Sequence, residues 1–294
     1  MIDELDTDWL KKHPLPTIEG GRGKDERGQA LVVGGSMFVP GAIRLTGEAA
    51  LRVGAGKVQI GTLEELRAAL GIAFPEAAVI GLSAKDGEIS AEAAGILESG
   101  CTGCDAMVLG PGMIECERTP ELVAGLLRHN RHSPSVIDAG AMTALRYLDI
   151  SVAGPLVLTP HHGELATMLA LDKQDIEASP VQSAKAAAAR FRSVVALKSS
   201  ETIIAAPDGR MLRYVSPSAG LGTAGSGDVL AGIIGGLLAR GAGLFEAVGW
   251  GVWLHGGAGK AASMHRGTMG YLARELLDEV PKLLDTASQA TATG

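Results

Sequence analysis

The stretch Ala30-Leu31-Val32-Val33-Gly34-Gly35-Ser36 decides the fold. Four consecutive apolar residues leave no polar face, so the segment reads as a strand covered on both sides, the usual condition of a parallel sheet. It stops at two glycines and a serine, where the backbone can turn tightly and a ligand can approach it closely. The same construction recurs outward from this stretch. Residues 57–61, 77–82, 105–110, 135–138, 156–159 and 194–198 join 30–34 as buried strands, and residues 43–53, 120–130, 141–148 and 181–191 between them have helix-forming composition and length. Such alternation predicts an α/β fold with a mainly parallel central sheet between two layers of helices. After Lys198 the pattern changes to two short strands, 202–206 and 211–215, joined by the turn signal Pro207-Asp208-Gly209-Arg210. The last third reads as helices over 227–240, 243–265 and 267–284, with a small, polar tail from Ala287 to Gly294 expected to fray.

With 294 residues, 46% of them hydrophobic, the chain suits one α/β domain spanning 1–294, with residues 1–25 as an N-terminal extension. The formal charge of −7 argues against a broad surface for nucleic acid or anionic membrane, so an anionic small molecule has to be held by local features. No apolar run reaches the roughly 18 residues that span a bilayer; the longest, from Val229 to Ala239, stops at Arg240. The acidic start, with Asp3, Glu4, Asp6 and Asp8, lacks the pattern of a signal peptide, and a cytoplasmic location is expected. Cys101 and Cys104 have no second ligand pair at zinc-binding spacing and read as small thiols near a strand start.

Ligands of open parallel sheets bind at the carboxyl ends of the strands, and here those ends carry unusual residues. Gly34-Gly35-Ser36 leads on to Gly41-Ala42; the others are Gly110-Pro111-Gly112, Asp138-Ala139-Gly140, Thr159-Pro160-His161-His162-Gly163-Glu164 and Lys198-Ser199-Ser200-Glu201-Thr202. The strongest local signal is Gly222-Thr223-Ala224-Gly225-Ser226-Gly227-Asp228, followed by an apolar run. A helix starting there has free amides that cradle phosphate, and Asp228 in its first turn places a carboxylate beside the anion. That carboxylate could take the proton of a hydroxyl as its oxygen attacks phosphorus. Gly220-Leu221-Gly222-Thr223-Ala224-Gly225 matches a dinucleotide fingerprint only formally, because no strand precedes it, and Gly259-Lys260-Ala261 lacks the hydroxyl of a Walker loop.

Taken in order, Gly34-Gly35-Ser36, Gly41-Ala42, 49–56, Leu109-Gly110-Pro111-Gly112, Leu158-Thr159-Pro160-His161 with Gly163-Glu164, Leu197-Lys198 and 225–232 resemble the ADP/ATP-dependent NAD(P)H-hydrate dehydratases of the ribokinase-like superfamily. The resemblance implies a three-layer ribokinase-like fold and a hydro-lyase that uses ADP or ATP, with Mg2+, to dehydrate the S-form of hydrated NADH and NADPH. It implies that Ala42, Gly112, His161 and Asp228 contact the hydrated cofactor, with Asp228 catalytic. Lys198, Ser199, Ser200, Glu201, Thr202, Gly225, Ser226 and Gly227 would hold the adenine nucleotide, and Glu164 would act indirectly on magnesium. A homotetramer is implied, as is an NAD(P)H-hydrate epimerase on a separate chain. Two positions depart from the family pattern: Gly140 stands where a second aspartate is usual, and Ser199 where glycine is common. The competing expectation is a kinase of the same fold that phosphorylates a small hydroxylated vitamin precursor and stops there.

Overall fold

The computed structural model describes residues 2–17, 23–100 and 103–292. Its strands are β1 (Asp3–Glu4), β2 (Gln29–Val33), β3 (Lys57–Leu63), β4 (Ala78–Leu82), β5 (Ala84–Lys85), β6 (Glu88–Ile89), β7 (Ala106–Leu109), β8 (Ser135–Ile137), β9 (Leu156–Leu158), β10 (Ser193–Leu197), β11 (Glu201–Ala205) and β12 (Met211–Val215). All but β5 and β6 form one sheet in the order β1-β12-β11-β10-β9-β8-β7-β2-β3-β4. Within that sheet the pairings of β11 with its two neighbours are antiparallel and the others parallel, and β5 and β6 form a separate antiparallel pair. The alternating side chains explain the unbroken apolar runs: Ala30 and Val32 enter one buried cluster, Leu31 and Val33 the other. Both faces of the sheet are therefore covered, as a parallel sheet requires.

The chain builds from β2 outward to β4, then crosses back to β7 and builds the other way. The crevice between β2 and β7 is thus the point where strand order reverses, and Gly35 N donates to Pro111 O there across 2.8 Å. Behind it, helix Ser226–Ala239 lies against helix Ala42–Arg52 at backbone distance. A Cβ on Gly232 would fall 2.2 Å from the carbonyl oxygen of Thr46, and one on Gly236 2.6 Å from that of Ala50. The small residues of this run are therefore a packing requirement as well as a loop signal.

Three features differ from the sequence reading. β1 adds a parallel edge strand beside β12, and helix Thr7–Lys12 buries Trp9 and Leu10 against the core, because these two apolar side chains share one helix face. The last helix starts at Ala273 instead of near 267, since Gly267 and Gly270 both take positive φ. It also continues to Ala292 through the segment expected to fray, where Ala287 is buried. Residues 141–148 form only a short helix, Gly140–Ala144, followed by a 3-10 turn. Cys101 lies outside the described residues, and the Cys104 thiol donates to Asn130 Oδ1 at 3.3 Å.

Gly232→Val forces the two helices apart and should lower the unfolding free energy by about 2 kcal/mol or more in urea titration, the range of core overpacking. Gly71 lies in helix Glu64–Ala73 with its nearest prospective neighbour 4.0 Å away, so Gly71→Ala should leave stability unchanged or raise it by about 0.5–1 kcal/mol.

Candidate active site

Adjacent parallel strands deliver their polar residues to one spot. Asp138 follows β8 and is 3% exposed; its Oδ1 accepts from the hydroxyl of Thr159, which follows β9, at 2.7 Å and from Nζ of Lys198, which follows β10, at 3.0 Å. Lys198 is fixed in turn by its backbone amide, which donates to Pro160 O at 2.8 Å. The next residue of that connection, His161, caps helix His162–Leu169 in a reciprocal arrangement. Its Nδ1 accepts from Glu164 N at 3.1 Å, and Glu164 Oε2 accepts from His161 N at 2.7 Å. Nε2 of the exposed His161 ring lies 3.6 Å from Glu164 Oε1, and the ring stands at the wall of the adjoining cavity. Glu164 Oε2 lies 4.0 Å from Lys198 Nζ, so two carboxylates share one ammonium.

The glycine loop closes over this group from the other side. Gly225 takes φ +87° at the N-cap of helix Ser226–Ala239. That conformation favours glycine, and a Cβ there would also have to displace Leu45, whose Cδ1 it would meet at 2.8 Å. A Cβ on Gly227 would lie 3.3 Å from Lys198 Nζ, which puts the first free amides of the helix beside the ammonium. Asp228, one residue on, is partly buried. Burial and the negative Asp138 push its carboxyl up to about 7, against the opposing pull of Lys198. Burial also raises Glu164 above the usual carboxylate range. Burial works against the charge on Lys198, yet Asp138 and Glu164 outweigh it and hold its pKa above the ordinary value. Three acids thus surround one lysine, and the strain of excess negative charge falls on Asp228.

A cavity of about 680 Å³ opens from this point, lined by His161, Lys198, Ser199, Ser200, Thr202, Ser226 and Gly227, with Tyr214, Leu221 and Val252 as apolar walls. The side chain of Glu201 is not part of that wall; it lies on the surface 4.0 Å from Arg213. Ala42 and Gly112 adjoin each other at the strand-order reversal, where a Cβ on Gly112 would sit 3.0 Å from Ala42 Cβ. They reach the loop through helix Ala42–Arg52, whose Leu45 packs on Gly225. Sequence reasoning singled out Asp228, Lys198 and His161, and the structure brings them together. The sequence marks Asp138 and Thr159 only as members of strand-end clusters, and nothing in it points to His255 or Glu88. The last accepts from Ile114 N at 3.3 Å and, by a further hydrogen bond, from Ser36, tying together the two glycine turns that flank the reversal. No pattern in the sequence marks Glu88, because it acts from a two-residue strand.

A family model described as NAD(P)H-hydrate dehydratase matches residues 30–282. The chain belongs to the NAD(P)H-hydrate dehydratase family. It is 43% identical to the ADP-dependent (S)-NAD(P)H-hydrate dehydratase of Xanthomonas campestris, with 94% of each chain covered. It is 36% identical to a bifunctional NAD(P)H-hydrate repair enzyme of Moorella thermoacetica, 54% of whose length it spans. Its fold matches the crystal structure of the ADP/ATP-dependent NAD(P)H-hydrate dehydratase from Bacillus subtilis, co-crystallized with ATP and Mg2+, with a TM-score of 0.85, 28% identity, and coverage of 97% and 99% of the two chains. The ribokinase-like α/β fold expected from the sequence is therefore the one observed.

The two departures from the family pattern have local causes. A Cβ on Gly140 would lie 2.5 Å from the carbonyl oxygen of Met113, so an aspartate there needs a different 113–114 backbone. Ser199 does not take a positive φ, and its hydroxyl serves the turn, accepting from Glu201 N at 3.1 Å and donating to Glu201 O at 2.6 Å.

The raised carboxyl of Asp228 has a cost in stability. A group that binds its proton more tightly when folded, here about 7 against 3.8, stabilises fully below pH 4 and loses that contribution as pH rises through about 7. Asp228→Asn has no such proton to lose. Calorimetry should find its Tm above that of the wild type at pH 8, with the gain shrinking toward pH 4.

Proposed function

We propose that the chain dehydrates the S-form of hydrated NADH and NADPH at the expense of ADP or ATP, and so repairs damaged nicotinamide cofactors in the cytoplasm. The observation that carries this reading is a single carboxyl, that of Asp228, poised near neutrality beside free helix amides and the Lys198–Asp138 pair. A general base is most useful when its pKa lies near the working pH. Hydroxide is a poor leaving group, so direct loss of the ring hydroxyl is slow. In the proposed step Asp228 takes the hydroxyl proton while the oxygen attacks the terminal phosphoryl group of the nucleotide, and the bond from phosphorus to the shortened nucleotide breaks. Phosphate then departs from the ring as a ring proton is lost, which restores the dihydropyridine. The balance is hydrate plus ADP giving NAD(P)H, AMP and phosphate, or ADP and phosphate from ATP.

The amides of Gly225 and Gly227 with Lys198 receive the charge that develops on phosphorus. Ser199, Ser200, Glu201 and Thr202 take the rest of the nucleotide, Ser200 by its side chain and the others through the shape of the turn that the Ser199 hydroxyl holds. Ala42, Gly112 and His161 take the hydrated cofactor. Among the described residues no group of three or more acids, histidines or cysteines is placed to bind a metal ion. The surplus of negative charge around Lys198 instead fits a hydrated magnesium ion that arrives with the phosphates, with Glu164 nearby. When bound, that ion neutralises phosphate charge. An epimerase on a separate chain and a homotetramer complete the proposal; the exposed Met37, Phe38 and Val39 are apolar surface that assembly would cover.

Acid-hydrated NADH incubated with the protein, magnesium and ADP or ATP should regain the reduced-nicotinamide absorbance with release of one phosphate per cofactor. Asp228→Asn should lower turnover by about 10²–10⁴-fold, the range for loss of a positioned base, while nucleotide still binds. A stable phosphorylated organic product without phosphate release would identify a kinase instead.

A further inference from the structure

His255 is a half-buried titratable group that the proposed phosphoryl transfer leaves without a role. It projects from helix Leu244–Arg266 into the wall of the nucleotide cavity, and its Nε2 lies 2.8 Å from the hydroxyl of Ser226. Ser226 is the first residue of the helix whose free amides face that cavity, and it is 4% exposed. A hydroxyl owns one proton. If the neutral imidazole carries its proton on Nδ1, then Nε2 takes the hydroxyl proton of Ser226 and the cavity meets only oxygen lone pairs, which repel phosphate. If the proton is on Nε2, the ring donates to Oγ and the hydroxyl proton is released toward the cavity.

The ring is neutral in both states, and its surroundings favour the second. Burial drives the ring down to about 4, and Lys198 pushes in the same direction, so the ring is neutral at any working pH. The one opposing influence is a hydrogen bond at the Ser226 backbone. The hydroxyl itself stands at a helix start beside Lys198 and Gly227, where an anion is already favoured.

We propose that His255 is a positioning residue: as the neutral Nε2–H tautomer it donates to Ser226 Oγ and thereby turns the Ser226 hydroxyl into an additional donor to the nucleotide phosphates. This deepens the nucleotide site of the proposed function and rests on it. Ser226 touches substrate, and His255 acts through it. The pair also explains a half-buried histidine in a helix that otherwise buries Phe, Ala, Val, Gly, Leu and Trp residues.

Long-range 15N correlation spectra of the histidine-labelled wild-type protein at pH 7 should show a neutral ring protonated at Nε2; an Nδ1–H tautomer or an imidazolium overturns the proposal without any variant being made. Calorimetric titration with ADP and magnesium gives the second readout. Ser226→Ala and His255→Leu should each weaken ADP binding about 10- to 100-fold, the worth of one hydrogen bond to a charged acceptor. The double variant should be no weaker than either single one. His255→Gln, whose amide N–H can reach Ser226, should recover most of the loss. Additive losses, or no recovery with Gln, overturn the proposal. Turnover is scored separately: a wild type that binds ADP but releases no phosphate contradicts the dehydratase reading, and the tautomer and affinity results still decide the role of His255.

Discussion

One lysine set among three acids is the constraint on which the rest of the structure depends. Lys198 is hydrogen-bonded to Asp138, lies 4.0 Å from Glu164 and interacts with Asp228, and it cannot satisfy all three. Asp138 is buried deepest and takes the ammonium; Glu164 spends one oxygen on a helix cap. Asp228 is left with burial and like charge, so its proton is held near neutrality. A carboxyl in that state is costly to fold and useful to a reaction that needs a base at neutral pH, a trade found repeatedly at functional sites.

The sheet exists in this form to assemble that charge arrangement. Three neighbouring parallel strands end at the same edge, so Asp138, Thr159 and Lys198 converge although 60 residues separate the first from the last. Strand order reverses between β2 and β7, leaving a crevice beside Ala42 and Gly112. The glycines of helix Ser226–Ala239 let it press on helix Ala42–Arg52 at backbone distance. That packing fixes the phosphate loop with respect to the crevice. Ala139 carries part of the cost: its φ of +48° is an unfavourable conformation for a residue with a Cβ, worth about 1–3 kcal/mol, and it directly follows Asp138.

Much of this was legible in the sequence because a parallel sheet writes itself as unbroken apolar runs ending in glycine. The seven core strands read from 30–34 to 194–198 lie within a residue or two of their observed bounds. Asp228, Lys198 and His161 were legible for the related reason that glycines and polar residues cluster where a backbone meets a ligand. What escaped depends on contacts between distant segments. β1 gains its identity only from pairing with β12, 209 residues away. Glu88 matters through Ile114 and Ser36, and His255 through Ser226, and neither stands in a motif. The end of the last helix is not legible because its small, polar composition signals fraying, whereas Ala287 packs into the core.

The most direct measurement is a 13C NMR titration of the Asp228 side-chain carboxyl in the ligand-free protein, assigned by comparison with Asp228→Asn. A midpoint near 7 is expected. A midpoint near the ordinary 3.8 would mean that Asp138 and burial do not burden this carboxyl, and the assignment of Asp228 as a base tuned to neutral pH would be contradicted.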